Sequence, residues 1–268
     1  MTGGGQWHAW KAAVAGRSHR TARKRCQDFC GYRIVRGHGQ SYAIGVVADG
    51  AGSAKHGRAG AEIACALLLR AARRLILANQ RLTSIGRDQI CEILRQARGI
   101  IVNRACGGQV RDFATTAAFA ILGPNGCLFA SVGDSVIVAG DQDSYLPVFW
   151  PENGEFAGTT TFLTEGDFEE HLQFETRPAP VAEVALFTDG LSPVALNVCE
   201  QKAHGPFFSP LFGQLRSTIR RRTPRFMVER GLRRFLGSGE MENRLDDDRS
   251  LVLICSRRQG KNDDNLLG

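Results

Sequence analysis

Two stretches of alternating apolar and polar residues, FCGYRIVRG (29–37) and SYAIGVVAD (41–49), are separated only by HGQ, a period-two pattern that predicts a β-hairpin. After a glycine-containing loop at 50–60 the period changes. AEIACALLLRAARRLILAN (61–79) and RDQICEILRQARGIIVNRA (87–105) carry apolar residues at helical spacing with arginines on one face, which predicts two amphipathic helices. Strand-like, turn-bounded segments then return: AFAIL (118–122), the turn GPNG, CLFASVGDSVIVAG (127–140) and VAEVALFTDG (181–190). Residues 141–180 are polar, acidic and glycine-containing, and are expected to form short strands, with candidates at PVFW and TTFL, plus a mobile acidic excursion. Helices are expected over 207–220 and from Pro224, a favoured first helical residue, to 236. SLVLICS (250–256) is the last strand, and 257–268 reads as a frayed tail.

Composition makes one large core the economical organisation. With 268 residues and 43% hydrophobic content, residues 1–256 are expected to form one domain. No run reaches the about 18 to 20 apolar residues of a membrane helix, and MTGGGQWHAWKAAVAG lacks a signal-peptide pattern, so a cytoplasmic protein without a membrane partner is expected. The eight cysteines are scattered. Cys26 and Cys30 have no second pair to complete a zinc site, while Cys65 and Cys255 sit in apolar runs as small hydrophobes.

Charge is unevenly placed: net +13 over residues 1–120, −11 over 121–215 and +5 over 216–268. Arginine supplies 29 of the 34 basic residues. Its forked guanidinium suits phosphate, which raises nucleic acid as a partner. The triple arginine at 220–222, however, falls in an expected helix with no aromatic interleaving, and reads as a solvated basic face; no nucleic-acid partner is expected. No GxxxxGK[ST] loop occurs for nucleotide hydrolysis, and FTDGL lacks the paired DxD of an aspartyl-phosphate phosphatase.

The informative pattern is that apolar runs end or begin on aspartate. AIGVVAD ends at Asp49, FASVGD at Asp134 and VALFTD at Asp189, while Asp246, Asp247 and Asp248 precede RSLVLI. Asp-Gly alone is a common turn. Strand ends can converge, however, and carboxylates meeting at one edge repel unless cations neutralise them. Oxygen-only ligands suit Mg²⁺ or Mn²⁺, and two such ions can activate water against a phosphoryl group. GRSHRTARKRCQDFC (16–30) adds basic residues running into Gln27 and Asp28 at a strand start, a phosphate-facing edge.

The ordered set CQD, VADGAG, ATTA (114–117), ASVGDS, FTDGL and DDRSLVL resembles the metal-dependent Ser/Thr protein phosphatases of type 2C, in the bacterial branch with a Ser-His pair ahead of CQD. The resemblance implies an α+β fold: a four-layer αββα sandwich, two central mainly antiparallel β-sheets flanked by helices, with a dinuclear Mg²⁺ or Mn²⁺ centre at one end. It implies that Asp49 bridges both ions with the Gly50 carbonyl as a further ligand, that Asp189 and Asp247 bind the other ion, that Asp28 acts through metal-bound water, and that Asp134 helps hold a weaker third ion. Arg23 matches the family's phosphate-binding arginine, with Arg20, Lys24 and Arg25 as rivals.

The chain departs from the family at three places. Ala51 stands where many members carry a proposed general-acid histidine, leaving His19, His56 or a metal-bound water to protonate the leaving group. Ser53 replaces a glycine, and Val136 stands where an arginine often follows Gly-Asp-Ser. The expected activity is hydrolysis of phosphoserine and phosphothreonine on proteins by a water bridging two Mg²⁺ or Mn²⁺ ions, without a phosphoenzyme. The expected partners are a phosphorylated protein substrate and a cognate Ser/Thr kinase. A catalytically weak, phosphatase-like regulatory module that binds a phosphoprotein or kinase is the alternative; missing carboxylates would mark it. The acidic stretch 152–175 either favours basic phosphopeptides or stays solvated.

Overall fold

The computed structural model describes residues 6–78, 81–141, 144–151 and 160–257. Its strands are β1 (Gln6–Val14), β2 (Phe29–Gly37), β3 (Gln40–Ala48), β4 (Ala117–Gly123), β5 (Gly126–Val132), β6 (Val136–Asp141), β7 (Ser144–Pro147), β8 (Gln173–Arg177), β9 (Glu183–Phe187), β10 (Leu196–Asn197), β11 (Lys202–Ala203) and β12 (Arg249–Arg257). The helices are α1 (Arg17–Thr21), α2 (Gly57–Leu77), α3 (Arg87–Arg104), α4 (Ser192–Ala195), α5 (Gly205–Arg220), α6 (Arg225–Leu236) and α7 (Gly239–Arg244). Two antiparallel five-stranded sheets, ordered β2-β3-β4-β5-β8 and β1-β12-β9-β6-β7, make the centre of an α+β fold.

Strand alternation generates the four layers. In β4, Ala118, Ala120 and Leu122 face the space between the sheets, whereas Phe119 and Ile121 pack with Leu68 of α2 and Leu94 of α3. In β12, Val252 and Ile254 face inward, and Leu251, Leu253 and Cys255 pack with Phe208 and Phe212 of α5 and Leu232 of α6. These strands are apolar on both faces because both faces are covered, one by the other sheet and one by helices. Gly45 marks a close approach of the sheets: a Cβ there would sit 2.8 Å from Leu186 Cδ1 and 2.9 Å from Ile254 Cδ1.

The structure alters several expectations. β1 was not anticipated; it is a strand because it pairs along its whole length with β12, Trp10 opposite Leu253. The segment 127–140 is two strands in different sheets, turned at Gly133, whose φ of +98° is a conformation glycine adopts without strain. PVFW and TTFL are not strands; the pairing segments are β7 and β8. α2 begins at Gly57, inside the expected loop, and Pro224 is the N-cap of α6, preceding its first helical residue. Of the 141–180 excursion, 142–143 and 152–159 lie outside the described residues, as does the tail beyond Arg257. No helix among the described residues is long and apolar enough to cross a membrane.

Candidate active site

Strand register gathers the aspartates. Phe29 of β2 lies opposite Ala48 of β3, and Ala117 of β4 opposite Val132 of β5; in the other sheet Phe187 of β9 pairs with both Leu251 and Val136. Asp28 immediately precedes Phe29, Asp49 follows Ala48, Asp134 lies in the β5–β6 corner, Asp189 follows β9 and Asp247 precedes β12. Five segments distant in sequence therefore deliver a carboxylate to the same end of the sandwich.

The backbone around Asp49 is held by the ATTA segment. Its N–H donates to Thr116 Oγ1 (2.9 Å), and its carbonyl accepts from Thr116 N–H (2.8 Å) and Thr115 Oγ1 (2.9 Å). Thr116 Oγ1 also lies 3.0 Å from Ser135 Oγ, which ties the Asp49 turn to the corner carrying Asp134. The next residue must be glycine: a Cβ on Gly50 would lie 2.3 Å from the Gly57 carbonyl carbon and 2.5 Å from its oxygen, where α2 starts. Backbone packs on backbone there, fixing the Gly50 peptide relative to the carboxylate.

Carboxylate oxygens of Asp49, Asp134 and Asp189 lie within 4.8 Å of one another. Burial is the largest cause that raises each carboxyl, and neighbouring carboxylates add to it: Asp189 is pushed up to about 8, Asp134 upward, and Asp49 well above the usual carboxylate range. Asp28, 1% exposed, is pushed up to about 7 by burial, although Thr188 Oγ1 donates to its Oδ2 at 2.5 Å and opposes the shift. Asp247 adds its charge to the field felt by Asp49, Asp134 and Asp189. Such a cluster cannot stay fully ionised without a compensating cation, and its all-oxygen donor set fits hard divalent ions.

Asp247 is exposed and groups with His19 and Asp248, all three within 4.8 Å. The residue that sequence reasoning did not single out is Asp248. At 3% exposed, it accepts from Gly16 N–H (2.7 Å), Gln27 N–H (2.5 Å) and His19 Nδ1 (2.8 Å). It thereby fastens the Ser-His and CQD segments to the start of β12. Its signal was only its place in DDRS. The CQD segment is further tied down by Gln27 Nε2 on the Ala54 carbonyl (3.1 Å) and Arg58 on the Cys26 carbonyl (2.7 Å).

The remaining candidates separate. Arg23 is exposed, in the loop between α1 and Asp28, with φ +54°. Of its rivals, Arg20 is paired with Glu242 at 2.6 Å, while Lys24 and Arg25 are exposed. His56 is exposed, its ring 4.9 Å from that of Phe113, and lies in neither carboxylate group. Cys26 and Cys30 are free thiols, and among the described residues no candidate metal group contains a cysteine.

Comparison with known proteins gives the family and the fold. Residues 15–237 match the family model described as protein phosphatase 2C. Over 250 residues, 92% of this chain and 97% of the relative, the sequence is 32% identical to serine/threonine-protein phosphatase 3 of Escherichia coli (strain K12). The fold is similar to that of the S. agalactiae serine/threonine phosphatase, with TM-score 0.64 and 14% identity over 94% of this chain and 100% of that one. It is also similar to the catalytic domain of the serine/threonine protein phosphatase PstP in complex with two manganese ions, with TM-score 0.58 and 16% identity over 93% and 98% of the two chains. With the family model matched from Gly16's neighbour Ala15 to Gly237, this chain belongs to the protein phosphatase 2C family.

Proposed function

We propose that this protein hydrolyses phosphoserine and phosphothreonine monoesters on protein substrates with the help of two Mg²⁺ or Mn²⁺ ions. The observation that carries this reading is the convergence of Asp49, Asp134 and Asp189 oxygens within 4.8 Å, with Asp28 and Asp247 around them. Bound ions would neutralise the phosphoryl oxygens and lower the pKa of a water for direct attack on phosphorus.

The protein's own residues do the rest. Asp49, the Gly50 carbonyl, Asp189 and Asp247 hold the ions, Asp134 contributes to a third, weaker site, and buried Asp28, fixed by Thr188, orients water at the centre. Arg23 takes the phosphoryl oxygens of the substrate. His19 protonates the departing serine or threonine oxygen: its Nδ1 is engaged by Asp248, which presents Nε2 as the proton donor, whereas no carboxylate among the described residues orients His56. A Ser/Thr kinase acting on the same targets is the functional counterpart, and the cytoplasm the compartment.

The purified protein should hydrolyse a small aryl phosphate with Mn²⁺ and stop when EDTA is added. Asp49→Asn and Asp189→Asn should each lower kcat by roughly 10²-fold or more. Undiminished activity in both variants would overturn the assignment.

A further inference from the structure

The arginines of the 220–222 run are exposed, as a solvated basic face requires, and two of them, Arg220 and Arg222, share a concavity with Arg225. Between the first half of β1 and the corner joining α5 to α6 lies a cavity of about 570 Å³, bordered by Trp10, Thr218, Thr223, Arg220, Arg222 and Arg225. No carboxylate among the described residues forms an ion pair with any of these three arginines. Arg225 stacks 5.4 Å over the Tyr32 ring, and Glu229, one turn along α6, is occupied by the Lys11 N–H (3.3 Å) and the Tyr32 hydroxyl (2.9 Å).

Helix stability accounts for only one of the three. Arg220, in the last turn of α5, complements the helix dipole. Arg222 instead has φ +54° at the helix stop, where Thr223 N–H donates to the Thr218 carbonyl (2.9 Å) and Arg222 N–H to the Ile219 carbonyl (3.1 Å). Glycine takes that position without penalty and arginine does not. Arg225 opens α6, where a cation opposes the helix dipole. Two positions that local stability would fill otherwise both carry arginines that line one concavity, Arg225 with its guanidinium over the Tyr32 ring at the margin. Planar guanidinium forks suit a tetrahedral phosphoryl dianion, and the Thr223 side chain borders the same concavity, whereas Thr218 Oγ1 donates to the Leu215 carbonyl (2.8 Å).

We propose that this cavity docks a second phosphoryl group of a multiply phosphorylated protein substrate while the reacting one lies at the Asp49 end. The proposal rests on the phosphatase reading of that end. The cavity touches the Gln6–Trp10 half of β1 and the carboxylates lie beyond Val14, a separation of about 15 to 25 Å at about 3.3 Å per residue. An extended peptide covers that span in about five to eight residues.

The test compares two phosphoserine peptides, one carrying in addition a non-hydrolysable phosphonate about eight residues away, with a small aryl phosphate as control. For the wild-type protein the doubly charged peptide should show a KM lower by about tenfold at unchanged kcat, the size of one charge-assisted hydrogen-bonded pair. The Arg220→Gln/Arg222→Gln/Arg225→Gln variant should lose that advantage and keep its activity on the aryl phosphate. Arg222→Gly supplies an internal control: relief of the left-handed strain should raise the melting temperature while the KM advantage shrinks, a combination that a purely structural role for Arg222 would not give. No KM difference between the peptides, or its persistence in the triple variant, overturns the proposal. Should the aryl phosphate itself not be hydrolysed, the phosphatase reading has failed, and anisotropy of the labelled doubly charged peptide decides the cavity instead; equal affinity for wild type and triple variant overturns it.

Discussion

The His19 imidazole and the Asp248 carboxylate meet at 2.8 Å, joining α1 to the start of β12. Because Asp248 also accepts from the Gly16 and Gln27 amides, its position is fixed by backbone on both sides, and it orients His19 in turn. A proton donor matters most for a poor leaving group. His19→Gln should therefore lower kcat on a phosphoserine peptide by about 10²-fold, within the range for general acids, and change aryl phosphate hydrolysis only a few-fold. Asp248→Asn, which keeps the shape but not the charge, should give a smaller loss on the same peptide. Equal losses on both substrates would remove His19 from the proton-donating role.

The raised carboxyls make the stability of the metal-free protein depend on pH in a direction opposite to the usual one. Asp28 at about 7 and Asp189 at about 8 bind protons in the folded state that the unfolded chain releases near 4. Folded-state proton uptake is then the greater between about pH 4 and 8, so stability falls as pH rises through that window. Melting of the EDTA-treated protein should occur at a higher temperature at pH 5.5 than at pH 8, and Mn²⁺ should raise it most at pH 8. Asp189→Asn should stabilise the metal-free protein at pH 8 while abolishing part of the Mn²⁺ response. A metal-free melting temperature that climbs from pH 5.5 to 8 would contradict the clustering.

Gly50 and Gly52 differ by two positions and should differ sharply on substitution. Gly50→Ala drives a methyl group against the Gly57 backbone, where no side chain can move aside, whereas Gly52→Ala meets nothing closer than Gln27 Oε1 at 4.0 Å. Overpacking of this kind costs about 1 to 3 kcal/mol or more, and the strain falls on the peptide next to Asp49. Gly50→Ala should lower the melting temperature and reduce Mn²⁺-dependent activity; Gly52→Ala should do neither. Thermal melting and aryl phosphate assays on the two variants check this.

What the sequence disclosed and what it hid follow from the range of the interactions involved. The aspartates at 49, 134 and 189 were legible because each terminates an apolar run, and the run itself dictates a strand end. The ATTA segment was legible as a motif, but its work, two threonines holding the Asp49 backbone, is a cross-strand relation. β1 was illegible because QWHAWKAAV mixes His8 and Lys11 into its apolar residues and carries no turn signal; pairing with β12, about 240 residues away, makes it a strand. The 127–140 corner was hidden because strand periodicity continues through Gly133 while the chain changes sheets. Within DDD, composition could not tell that Asp248 turns inward and Asp247 outward, since that depends on the pleat of a strand beginning one residue later.

Thr188 joins two of these relations and offers the sharpest single substitution. Fully buried, its hydroxyl donates to Asp28 Oδ2 (2.5 Å) and accepts from Ser250 N–H (3.0 Å). Valine has the same shape and neither function, so Thr188→Val leaves a buried amide without its acceptor and a buried carboxyl without its donor, at about 1 to 3 kcal/mol per group. Since the Thr188 bond holds the Asp28 carboxyl down, its loss should push that carboxyl further up, so that a higher pH is needed to ionise it. The pH–activity profile of Thr188→Val with Mn²⁺ should move to the alkaline side, with calorimetric Mn²⁺ affinity weakened by about tenfold at pH 7 and recovering at pH 9. Thr188→Ser should restore both. An unshifted profile would show that Asp28 is not titrating in the working range, and that Thr188 serves only the fold.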